Sequence, residues 1–329
     1  MPSPRPLQLN TVNMTAVPEA EGNTSLHHEE LSQIHSALAV AVLAPSLAIC
    51  LLTGAGWLFL LRRYRQLSRK ARFMLLGCTT LSHVVYFSVT LLRYLLLLAE
   101  TLVSRLMCAS MLLLQNYSLF VEMAVLDAMC LDRYLAVCRP LSYESVFSEE
   151  NFHKPLLLVF LVPLMPSMVL ALLQIFEGSD QRGSIFCHVN SLDTSTLLTY
   201  SRFTMTLAIF LPSLAAISLF YALVLRQDLL SGIVFPSSQQ ARRVLLVHLI
   251  QMGFYLLPVL PFILLGALHS SGMVGELAVA QGKTALFIFF TIGQVIGPIV
   301  HGLSSEEIRS CLIRHLRWKC GAVVVPLTV

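Results

Sequence analysis

The 329-residue chain is 56% hydrophobic and only 12% charged, with a formal net charge of +4 and a mean hydropathy of +0.74. Ordinary soluble domains carry about 25% charged residues, so this composition excludes a water-soluble globular fold and makes lipid the solvent. The sequence has no Walker loop, no paired Cys-x-x-Cys zinc pattern and no Gly-x-Ser-x-Gly elbow, so neither a cofactor nor nucleic acid is indicated.

Residues 1–33 form a polar extracellular tail. Asn13-Met14-Thr15 and Asn23-Thr24-Ser25 are glycosylation acceptor patterns within it. The N-terminus lacks a cationic start followed by a short apolar core, so no cleaved signal peptide is expected. Seven apolar runs follow, near 34–61, 73–98, 105–138, 155–176, 196–225, 243–268 and 284–303. Each is long enough to cross a bilayer, which takes about 20 helical residues. Each must be helical, because lipid offers backbone groups no partner. Residues 34–303 therefore read as one all-α, seven-transmembrane helix bundle.

The loop after span one carries Arg62, Arg63, Arg65, Arg69, Lys70 and Arg72; further basic residues are Arg226, Arg242, Arg243, Arg309, Arg314, Arg317 and Lys319. The positive-inside rule then places the N-terminus outside and the C-terminus inside. Span two contains His83 and, nearer its outer end, Arg93. Span three opens with Cys108 and passes through Gln115, Asn116, Glu122 and Asp127 before ending on Asp132-Arg133-Tyr134. Charge is costly in hydrocarbon, so an acid-base pair at this helix end implies emergence from the bilayer or a wet crevice. Glu122 lies eleven residues before Arg133, about 16 Å up the helix. An acid there needs a partner or neutralisation: His83 is one candidate, and a protonated Glu122 bonded to backbone or water is the other.

Arg202 near the outer end of span five could, like Arg93, snorkel to the interface. Alternatively the two arginines join Gln115 and Asn116 in a ligand cup, with Leu256 and Val259 of span six and Phe287 and Thr291 of span seven as apolar wall. Ser304 and Glu307 have capping-box spacing. Ile308, Leu312, Ile313 and Leu316 then give one apolar face of a short amphipathic eighth helix within the 304–329 tail. Cys320 follows it and is either a palmitoylation site or a plain thiol.

The string Asp132-Arg133-Tyr134-Leu135-Ala136-Val137-Cys138-Arg139-Pro140-Leu141-Ser142-Tyr143 resembles the cytoplasmic end of the third helix in rhodopsin-like (class A) G-protein-coupled receptors, in its odorant-receptor version. The resemblance covers roughly residues 34–320. It implies a cell-surface receptor for an extracellular ligand, an odorant-like small molecule among the options, that activates a heterotrimeric G protein. It makes Asp132, Arg133 and Tyr134 the switch, and matches Pro212, Pro258 and Pro298 to the family's helix-kinking prolines.

Cys108 and Cys187 are the two cysteines on the predicted outer side, which makes them a disulfide pair. The twenty-five residues between Cys108 and Arg133 match the family spacing. The resemblance also implies that His83 and Glu122 stand where relatives line a sodium cavity, and it disfavours a monoamine ligand, since Gln115 replaces an acid. This chain departs from the pattern at Thr53-Gly54-Ala55, at His83, before Pro258, and at Gly297-Pro298-Ile299-Val300-His301. Those departures keep a second reading open, a non-signalling receptor-like binding protein or heteromer partner. A transporter is a third reading, but no half-repeat is visible. No nucleophile, base and orienting acid assemble at enzyme-like spacings, and the histidines are too scattered for a metal set.

Overall fold

The computed structural model describes residues 18–64, 70–148, 150–177, 183–187, 196–231, 236–270 and 273–304. Asn13, Cys320 and the expected amphipathic tail helix lie outside them, as do the side chains of Asn23, Leu256, Val259 and Pro298. In chain order the elements are α1 (Pro18–Arg63), α2 (Ala71–Leu98), β1 (Val103–Ser104), α3 (Arg105–Cys138), α4 (Pro140–Phe147), α5 (His153–Glu177), β2 (Ser184–Ile185), α6 (Thr196–Ser231), α7 (Pro236–Ser270) and α8 (Glu276–Ser304). Seven of the helices are long, and six of these are, among the described residues, apolar enough to cross a bilayer. The chain is a multi-pass helical bundle of the expected class. Helix α1 starts at Pro18, well ahead of its apolar run, whose membrane-length portion begins at Gln33.

Local chemistry sets the boundaries. Ser104 caps α3, its hydroxyl accepting from the Met107 N–H at 3.2 Å. Helix α3 stops before Pro140, which disfavours helical backbone at the preceding residue and then opens α4 at a position that needs no N–H. Helix α2 ends in a Schellman turn: Thr101 N–H donates to Leu96 C=O at 2.9 Å and Glu100 N–H to Leu97 C=O at 3.1 Å. Glu100 holds the left-handed position usually taken by glycine, at φ 51°. Its carboxylate also accepts from Gln33, which ties the turn to α1.

Helix α3 is the axis. It packs against α2, α5, α6 and α7, while α8 closes the ring by packing on α1 and α7. The main core gathers Val121, Val125, Leu126 and Met129 of α3 with Phe210 and Ile217 of α6 and Leu245 and Met252 of α7. The α7–α8 seam is unusually close. A Cβ at Gly297 would meet Gln251 Nε2 at 2.5 Å, and one at Gly293 would meet Phe254 Cβ at 2.5 Å. Gly293 and Gly297 have the small-xxx-small spacing that lets membrane helices approach backbone to side chain. Phe254 also stacks on Phe289, centroids 4.7 Å apart.

Candidate functional site: three polar stations along α3

At one end of α3, Asp132 is 2% exposed. The Tyr143 hydroxyl donates to Asp132 Oδ1 at 3.1 Å, and Arg133 Nε lies 3.8 Å from Asp132 Oδ2. Helix α4 delivers Tyr143 by packing Phe147 into a small cluster with Ala71 and Leu135. Burial, then the charge and hydrogen bonding of Asp132, push the Tyr143 phenol up to about 12. It is therefore a donor throughout the physiological range. Tyr134 stacks on Phe220 of α6, centroids 5.2 Å apart. The station thus connects α3 to the loop helix and to α6. The sequence string contained Tyr143 but gave no reason to assign it a role.

Midway along α3, Glu122 (1% exposed) meets His83 (0% exposed) of α2 through the imidazole Nε2. Two further donors converge on it: Gln251 Nε2 of α7 at 3.3 Å and Gln294 Nε2 of α8 at 3.4 Å. Four helices thus meet at one carboxyl group. A neutral glutamine in an apolar run violates no rule strongly enough to be singled out, so both glutamines were missed. One turn and a half further on, Asp127 accepts from Ser213 at 2.7 Å, directly after Pro212 of α6. Among the described residues no three His, Cys, Asp or Glu side chains cluster as metal ligands.

At the other end, Cys108 and Cys187 are disulfide-bonded, with Cα atoms 5.4 Å apart. β1 and β2 pair antiparallel, Val103 with Ile185 and Ser104 with Ser184, so the segment 183–187 sits beside the start of α3. Arg93 of α2 is only 4% exposed. It does not snorkel to a wet rim; its guanidinium lies 4.7 Å from the centroid of the Tyr94 ring. Tyr94 packs on Phe287, centroids 5.6 Å apart. Gln115 makes a long 3.5 Å hydrogen bond to the Tyr86 hydroxyl, and its own carbonyl oxygen has no partner among the described residues. Asn116 is half-buried beside it. Thr291 is buried and spends its hydroxyl on the Phe287 carbonyl at 2.8 Å. Arg202 is half-buried on α6, its carbonyl accepting from Thr206 at 2.8 Å. The contacts of Tyr86 and Tyr94 with Gln115, Arg93 and Phe287 were not anticipated, because an aromatic in an apolar span reads as packing.

Comparison with known proteins agrees with this geometry. The model of the 7 transmembrane receptor (rhodopsin family) matches residues 58–300. Human olfactory receptor 51T1 is 24% identical over 210 residues, covering 60% of this chain and 62% of that receptor. Human olfactory receptor 2AG1 is 24% identical over 221 residues, covering 62% of this chain and 64% of that receptor. The chain therefore spans less than two thirds of the length of these curated relatives, yet the family match runs over most of the bundle: the chain belongs to the rhodopsin family of seven-transmembrane receptors.

Proposed function

We propose that the chain is a plasma-membrane receptor, N-terminus outside and C-terminus inside, that binds an odorant-like small molecule under the Cys108–Cys187 loop and activates a heterotrimeric G protein at the opposite end. The observation that carries the reading is the buried Asp132 held jointly by Tyr143 and Arg133. An ion pair of this kind restrains Arg133 while intact and frees it when broken. Close by, Leu141 of α4 is 95% exposed, an apolar side chain that nothing among the described residues covers and that suits a protein partner. The cup supplies the ligand end, with Gln115, Asn116, Phe287 and Thr291 along its described wall.

The test is ligand-free signalling in cells carrying a promiscuous G-protein reporter, normalised to surface protein. Asp132→Asn removes the charge that holds both partners and should raise basal output. An unchanged, silent baseline from well-expressed protein would support the non-signalling alternative. That alternative draws on His83 and His301 standing where relatives keep an acid and a tyrosine.

A further inference from the structure

Arg93 is a buried cation with no counter-charge among the described residues. Its guanidinium makes no hydrogen bond or ion pair among the described residues, and its Nε is both inaccessible and unpartnered. A desolvated charge in this state is costly unless something pairs with it. The ring that carries it, Tyr94, also meets the edge of the His35 imidazole, centroids 5.9 Å apart. His35 in turn lines a crevice of about 410 Å³ between α1 and α8.

That crevice falls within the size range of small-molecule sites, about 300–1,000 Å³. Its apolar wall is Ile34, Leu38, Leu277 and Ile288; its polar wall is His35, Gln281 and Thr284, with His35 Nδ1 2.6 Å from Thr284 Oγ1. Ile34, Leu38 and Leu277 are each about half exposed. They lie in the membrane-length portions of α1 and α8, so the mouth faces acyl chains and its occupant arrives from the bilayer. Arg93 and Lys283 both lie within electrostatic reach of His35, while the Glu100 carboxylate, after α2, is engaged by Gln33, the residue before Ile34.

We propose that this crevice binds a lipophilic monocarboxylate. The aliphatic tail lies along the apolar wall, the carboxylate turns inward onto His35 and Thr284, and Arg93 behind Tyr94 neutralises it. The inference rests on the receptor reading only in making the site a ligand site; binding itself does not require signalling.

The test uses the full-length protein in nanodiscs and three probes that share a tail: laurate, methyl laurate and dodecan-1-ol. Laurate should bind at least tenfold more tightly than the ester or the alcohol. Arg93→Gln should remove that advantage while leaving methyl laurate within twofold, and Ala285→Trp, which fills the crevice, should weaken all three. Carboxyl-labelled ¹³C-laurate should show the infrared stretch of an ionised carboxylate when bound to unmodified protein, a readout that needs no variant to fold. Equal binding of the three probes, a protonated carboxyl band, or full laurate affinity in folded Arg93→Gln would overturn the proposal. So would phosphatidic acid in the disc displacing laurate at low mole fraction, which would assign Arg93 to a lipid headgroup. Ligand-free nucleotide exchange on a G protein, measured on the same discs, reports on the receptor reading separately.

Discussion

Glu122 and Arg93 are both buried ionisable groups one helix apart, and their surroundings are opposite. Glu122 is approached by hydrogen-bonding side chains from three other helices. Among the described residues Arg93 has an aromatic face and no hydrogen-bond or ion-pair partner. A buried charge whose partners are supplied by the fold is part of the fold's stability, whereas one whose partner is missing is held by the rest of the structure at a cost. The first kind marks where the bundle holds itself together, and the second marks where it waits for something.

The comparison breaks most sharply under substitution. Glu122→Leu strands the donors of His83, Gln251 and Gln294 in an apolar interior, at about 1–3 kcal/mol for each group left unsatisfied. It should therefore lower the melting temperature or abolish surface expression, with Glu122→Gln milder because an acceptor remains. The same kind of change at Arg93 should have the opposite sign: Arg93→Met should leave the ligand-free protein as stable or more stable in a thermal-unfolding assay. If both variants destabilise alike, the distinction between the two charges fails.

Cys108→Ser probes the lid over the Arg93 end. Losing a native disulfide commonly costs about 2–5 kcal/mol, so surface expression should fall, and any ligand effect should fall with it. Two free thiols at Cys108 and Cys187 by mass spectrometry of the unmodified protein would sink this expectation.

Smaller effects sharpen the picture. Tyr143→Phe removes one hydrogen bond from Asp132, about 1 kcal/mol, and should raise ligand-free signalling less than Asp132→Asn does. The Tyr143 phenol is raised to about 12 from an ordinary value of 10, so its contribution is complete below pH 10 and is lost only as pH climbs from there through about 12. Ultraviolet titration of Tyr143 against the Phe variant should show its ionisation late, near pH 12. The smallest expected effect is that of sodium. Hard cations take oxygen ligands, and both glutamines turn their amide nitrogens to Glu122, so exchanging sodium for choline should leave thermal stability unchanged. A sodium-selective rise that disappears in Glu122→Gln would contradict this.

Much of the bundle was legible in the sequence because lipid leaves few choices. A long apolar run has to be a helix, and outer cysteines have one another. His83 and Glu122 stood out because an ionisable side chain in such a run violates the solvent. Gln251 and Gln294 did not, and their importance comes only from packing that the string does not encode locally. Gly293 and Gly297 read as ordinary small residues until Phe254 and Gln251 were found lying against them. The early start of α1 was also hidden, since residues 18–32 are polar and lie beyond the run that lipid enforces. That Arg93 finds no partner among the described residues is a matter of absent neighbours, which no sequence pattern records.

The notch at Gly297 makes the α7–α8 seam a keyed joint. Gln251 occupies the space that the missing side chain leaves, and the same amide reaches Glu122. A helix turns its side chains by about 100° per residue, so even a partial roll of α7 lifts Gln251 from the notch and from the carboxyl group together. Steric fit and hydrogen bond then cannot be separated in time, and the joint has one disengagement step rather than a gradual slide. A bulkier residue at position 297 would hold the key out permanently, fixing the bundle on one side of that step.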